Sequence, residues 1–127
     1  MPTNGAFSQY GSRGIPFAAI TDGLSNTLLV GEKHVPAGRL GVGWLDSSTY
    51  NGNNALPSVR PAGPDFPLAW SLTSHEHRKS WVFGSYHPGI CQFVFCDGSV
   101  RPLNTGIDIL TLTWLAIRND GQVAGNF

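Results

Sequence analysis

SWVFGSYHPGICQFVFCDGSVRPL, residues 80–103, is the stretch that decides the fold. Ser80 to Tyr86 and Cys91 to Cys96 are rich in aromatic and β-branched side chains, and His87-Pro88-Gly89-Ile90 lies between them. That is the composition of two short strands joined as a hairpin. Asp97-Gly98 follows at once, the signal of a two-residue hairpin loop that needs positive φ, and it leads into a third strand over Ser99 to Leu103. The expectation is three strands in an antiparallel meander. Pairing 80–86 with 91–96 puts His87 at one end of the hairpin and Asp97 at the other, roughly 15–20 Å apart, too far to share a metal or form a catalytic dyad.

Downstream, Thr105-x-x-Asp108 has capping-box spacing with Asp in place of Glu. Ile107, Leu110, Trp114 and Ile117 recur at three and four residues up to Asn119-Asp120-Gly121, which predicts one helix lying on the sheet. Gln122 to Phe127 are then available as a closing edge strand. Upstream, Thr21 or Asp22 can cap a short helical turn, and Thr27-Leu28-Leu29-Val30 begins a strand running to about Glu32. Residues 1–18 form an extended arm held by Phe7, Tyr10 and Phe17, and residues 36–67 a long irregular loop punctuated by Gly, Pro and Asn. The fold class is α+β: a single domain, 1–127, with a small antiparallel sheet packed against one C-terminal helix.

Composition narrows the function. Eight basic and eight acidic side chains cancel, and no Lys/Arg run occurs, so the electrostatic footprint of a nucleic-acid or anionic-membrane binder is missing. No stretch approaches the roughly 18–20 apolar residues of a membrane span, and MPTNGAFSQY has neither the basic nor the apolar region of a targeting segment. Cys91 and Cys96 are a lone pair, which makes no zinc framework. On one strand they lie about 16 Å apart, one on each face, so free thiols are expected.

Candidate chemistry lies in three places. His75 and His77 form a His-x-His pair that the meander brings toward Asp97, a facial metal set able to serve as ligands or base in a metal-dependent hydrolase of small esters or lactones. The competing reading makes SHEHRK a solvated approach to a strand and Asp97 a turn residue. Two oxygen-rich loops, one with Asp46, Asn51 and Asn53 and one with Asn119 and Asp120, have donors for Ca²⁺, although neither has EF-hand spacing and both suit ordinary turns. Trp44, Tyr50 and Trp70 offer aromatic surface for a carbohydrate or other small ligand. His34, His87, Glu32 and Asp65 complete the nominal ligand inventory, and no nucleophile elbow, phosphate loop or dinucleotide fingerprint is present.

Four motifs in order, ITDGLSNTLLVGE, FGSYHPG, FVFCDGSVR and IDILTLTWLAIRNDGQV, resemble the C-terminal part of the planctomycete family of pilin-like proteins marked by an H-X9-DG motif, here His87, nine residues, then Asp97-Gly98. The resemblance implies a globular head similar to the pseudopilins of type II secretion systems, in which a small antiparallel sheet packs on a helix and a C-terminal loop often holds Ca²⁺. It also implies a place at the cell surface, in the periplasm or outside the cell. The implied partners are pilin-like subunits or an anchoring helix N-terminal to the head, and this sequence shows no prepilin cleavage site or apolar N-terminal helix. In this light His87, Asp97 and Gly98 are a structural motif. Two functions stay open: a pseudopilin-like structural and interaction domain, which predicts an uncovered apolar patch, and a metal-dependent hydrolase on the same scaffold.

Overall fold

Cys91, Phe93 and Phe95 are buried while Ile90, Gln92 and Val94 are only half-buried, a period of two that makes Ile90–Phe95 (β2) the central strand. A computed structural model describes residues 4–7, 14–43, 45–48, 58–74, 81–125 and 127. Val100–Asn104 (β3) pairs antiparallel with β2, Cys91 opposite Leu103 and Val94 opposite Val100. The connection is the expected hairpin with a different loop. Phe95 N–H donates to Ser99 O at 2.9 Å, so three residues, Cys96 to Gly98, make the turn, and Gly98 alone of them takes positive φ, at 84°. This is a type I turn closed by a glycine bulge.

The other neighbour of β2 corrects the expected meander: it is not 80–86. Leu28–Gly31 (β1) pairs antiparallel with β2, Leu28 opposite Phe95 and Gly31 opposite Phe93, with a bulge between Leu28 and Val30, giving the sheet order β1-β2-β3. Residues 81–85 lie one position further out. Phe83 bridges Lys33, Val82 O accepts from His34 N–H at 3.0 Å, and Gly84 N–H donates to Glu32 O at 2.9 Å. The turn after them explains why they do not fold straight back onto β2. Ser85 Oγ donates to Ile90 O at 2.6 Å and accepts from His87 N–H at 3.0 Å, and Gly89 has φ 72°, so the chain steps sideways.

The inner face of the sheet carries Leu28, Cys91, Phe93, Phe95 and Leu103, and these pack with Leu68 and Ala124 and with the helix Ile109–Ala116 (α1) through Leu112 and Leu115. Asp108 caps α1 directly, its carboxylate accepting from Thr111 N–H at 3.0 Å. The buried stripe is therefore Leu112 and Leu115 with partly buried Ile109, and Leu110, expected inside, is 55% exposed. Starting the helix at Asp108 sets which i, i+3 row meets the sheet. No helix among the described residues is long and apolar enough to cross a membrane.

Two further expectations are corrected at the chain ends. Residues 122–125 form no strand, although Ala124 is buried in the core. Phe7 and Phe17 are exposed and Tyr10 lies outside the described residues; the arm is tied by its main chain instead, Asn4 O accepting from Arg118 N–H at 3.0 Å and Gly5 O from Arg118 Nη1 at 2.8 Å.

Gly31 is a packing requirement. A Cβ there would fall inside contact distance of the Phe93 ring and 2.8 Å from Phe83 Cδ1. These two rings meet edge to face at 5.1 Å, and Phe93 is fully buried. Neither ring can swing away, and overpacking of this kind costs about 1–3 kcal/mol. Gly31→Ala is expected to lower the free energy of unfolding by that amount, read as a lower urea midpoint with an unchanged m-value, and an unchanged midpoint would show that the notch can relax.

Candidate functional site

Glu32 follows β1 directly, and its backbone faces two ways: its N–H donates to Gln92 O at 3.2 Å while its carbonyl accepts from Gly84. The side chain folds onto the same junction. Oε2 accepts from Gln92 N–H at 2.7 Å, and Oε1 lies 3.4 Å from His87 Nε2. A carboxylate thus finishes the β1–β2 ladder and orients the imidazole, the first of these a charge-assisted hydrogen bond. His87 and Asp97 sit beyond opposite ends of β2, whose five residue steps span about 16 Å. The histidine of H-X9-DG is therefore paired with the glutamate of the LLVGE motif.

Beside His87 a cleft of about 190 Å³ opens, lined among others by Trp70, Leu72, Tyr86, Pro88 and Thr105. Tyr86 O–H donates to Val35 O at 3.0 Å, which fixes its ring on the rim. Ser85 also lines the cleft, but its hydroxyl is committed to Ile90 O, so it braces the turn and is not a free nucleophile.

His75, His77, Asn51 and Asn53 lie outside the described residues, as do Trp44 and Tyr50. Asp97 belongs to the β2–β3 loop, where Oδ1 accepts from Ser99 N–H at 2.9 Å and from Ser99 Oγ at 2.6 Å. These two bonds, and Arg101 nearby, hold its carboxyl below the ordinary aspartate value. Asp46 accepts from Gly41 N–H at 3.0 Å and pairs with Lys33 at 3.3 Å, which lowers its carboxyl in the same way. His34 is buried with Nε2 3.3 Å from Ser74 O. Among the described residues no three His, Cys, Asp or Glu side chains converge as a metal cluster. Both cysteines are free, as expected, and both are buried, Cys91 in β2 and Cys96 in the loop that follows it. Burial pushes the Cys91 thiol up to about 12, which makes it a poor nucleophile.

The Asn119-Asp120-Gly121 loop is organised by a residue read from the sequence only as a helical cap. Asp22, buried, accepts from Asp120 N–H through Oδ2 at 2.8 Å and from Gly121 N–H through Oδ1 at 3.0 Å, while its own N–H donates to Arg118 O at 3.2 Å. Asp120 Oδ1 in turn accepts from Gln122 N–H at 2.8 Å. The TDG and NDG motifs are thus two halves of one clamp. No local periodicity signals a contact across nearly a hundred residues; the one available cue is an acidic residue inside the otherwise apolar AAITDGL stretch.

Comparison with known proteins gives one match. The model of the family described as "Protein of unknown function (DUF1559)", SBP_bac_10, covers residues 1–110, and the chain belongs to this family. No curated protein and no solved structure matches it.

Removing the Asp22 carboxylate leaves two amides without their acceptor. Asp22→Ala is expected to cost about 2–4 kcal/mol in chemical denaturation. It should accelerate hydrogen exchange at Asp120 and Gly121 while the β2–β3 amides stay protected, and unchanged exchange there would refute the clamp. Asp97 sets a pH dependence. Its carboxyl is lowered by folding, so its bracing of the loop is complete above the ordinary aspartate value and is lost as pH falls through the lowered one. The Ser99 amide resonance should titrate with a midpoint below about 3.9, and that titration should vanish in Asp97→Asn.

Proposed function

We propose that this member of the DUF1559 family works as a pseudopilin-like structural and interaction domain of a secretion or cell-surface system, positioned at the cell surface, in the periplasm or outside the cell. The observation that carries the reading is what its motif residues do. Asp22 clamps the 119–121 loop, Glu32 closes the β1–β2 ladder and holds His87, and Asp97 with Gly98 forms the β2–β3 turn. Each is engaged in bracing the fold, which is the behaviour of a scaffold whose surface carries the function.

The surface offers a place for a neighbour. Val30 is opposite Val94 and Val94 opposite Val100, so one valine row crosses all three strands on the face turned away from α1. Val30 is 52% and Val100 61% exposed. An uncovered apolar row on a sheet face suits packing against a pilin-like subunit.

Chemical cross-linking of cell envelopes, read by mass spectrometry, tests this. Cross-links from the valine face to pilin-like subunits are expected, and Val30→Lys with Val100→Lys should remove them while leaving the β2–β3 amide resonances in place. Turnover of an ester or lactone that is abolished by EGTA and by Asp97→Asn would overturn the reading in favour of a hydrolase.

A further inference from the structure

We propose that the cleft beside His87 is a binding site for one ring of a neutral saccharide. Trp70 is 73% exposed and Tyr86 53% exposed, and both line the same cleft with Leu72. Two aromatic side chains and a leucine gathered at one concavity form a platform onto which the C–H face of a sugar ring can stack, while an isolated exposed aromatic would carry no such meaning. The lining also includes polar side chains: Ser71, Thr105 and His87 stand among the apolar groups and can meet ring hydroxyls.

Charge and size select the ligand class. The lining holds no Asp, Glu, Lys or Arg, and the Nε2 of its one histidine, His87, already faces Glu32 at 3.4 Å. The cleft therefore presents no unpaired charge to a ligand, which suits an uncharged polyol ring and disfavours phosphate, carboxylate or ammonium groups. At 190 Å³ it holds the volume of about six waters, at roughly 30 Å³ each, the scale of a single pyranose and below the range typical of drug-sized ligands. The walls are set before any ligand arrives. Tyr86 is tied to Val35 O, Ala69 N–H donates to Phe83 O at 2.9 Å, and Thr105 N–H donates to Gly89 O at 2.9 Å, so the segments bearing the platform and the polar rim are held by the same hydrogen bonds that hold the fold. Trp70 can change without disturbing the core, because its side chain stands in solvent. The proposal is independent of what the domain assembles with.

The experiment is a titration of the ¹⁵N-labelled chain with glucose, galactose, N-acetylglucosamine and cellobiose, with N-acetyltryptophanamide as an apolar aromatic control. The Trp70 indole N–H, identified by its loss in Trp70→Phe, and the Thr105 amide are expected to shift saturably with at least one saccharide at a millimolar Kd. Trp70→Ala should weaken binding about tenfold or more and Thr105→Val severalfold, each with β2–β3 amide shifts unchanged. Three results would overturn the proposal: no saccharide shifts these resonances, the shifts survive Trp70→Ala, or the aromatic control binds while every saccharide fails.

Discussion

Glu32 is where the parts of this fold are joined. Its amide and carboxylate both bond to Gln92 of β2, its carbonyl takes the amide of Gly84, and its second carboxylate oxygen faces His87. Once that residue is seated, Gly31 must lie against Phe93, since Gly31 precedes it in β1 and Phe93 follows Gln92 in β2. The missing Cβ then makes room for the Phe83–Phe93 edge-to-face pair, which locks residues 81–85 outside β1. A single carboxylate is thus linked to strand order, to aromatic packing and to the placement of the histidine. A half-exposed contact such as His87–Glu32 adds little stability by itself, and the bond to the Gln92 amide is the stronger element of the junction.

A second constraint gathers the chain ends. Asp22 holds the segment after α1, and Arg118 of that segment holds Asn4 and Gly5. Neither tie is hydrophobic, and both use backbone groups that a loop-rich chain must satisfy somewhere. With a fifth of its residues Gly or Pro, this chain forms short elements and depends on side-chain acceptors at their ends, as at Asp22, Asp97 and Asp108.

The same motifs also carry the two exposed features: Val30, Val94 and Val100 of the valine row and Tyr86 and His87 of the cleft all lie within them. The valine row lies on the outer face of the sheet and the aromatic cleft lies at its rim, next to the turn that His87 closes. The first is apolar and exposed at Val30 and Val100. The second is concave and mixed in polarity. His87 connects the braced interior to the cleft, because the turn that carries it is held from beneath by Ser85 and from the side by Glu32.

Much of this was readable in the amino-acid sequence because the signals are local. The alternation through Cys91, Phe93 and Phe95, the Asp97-Gly98 turn and an aspartate before an apolar i, i+3 row are enough for the β2–β3 hairpin and α1, and hence for the α+β class. The aromatic content of 80–86 reads equally well as a strand, yet the edge of β2 goes to β1, whose glycine fits the Phe93 ring. That choice depends on shape between residues some sixty positions apart, and composition carries no trace of it. The same holds for the site. Sequence spacing supplied candidates by residue type, with His75, His77 and Asp97 foremost, whereas the partners actually chosen, Glu32 for His87 and Asp22 for the 119–121 loop, are contacts that only a folded chain can make. Secondary structure follows from periodicity and turn chemistry within a few residues; which elements become neighbours is settled by packing and by the demand that every buried amide find an acceptor.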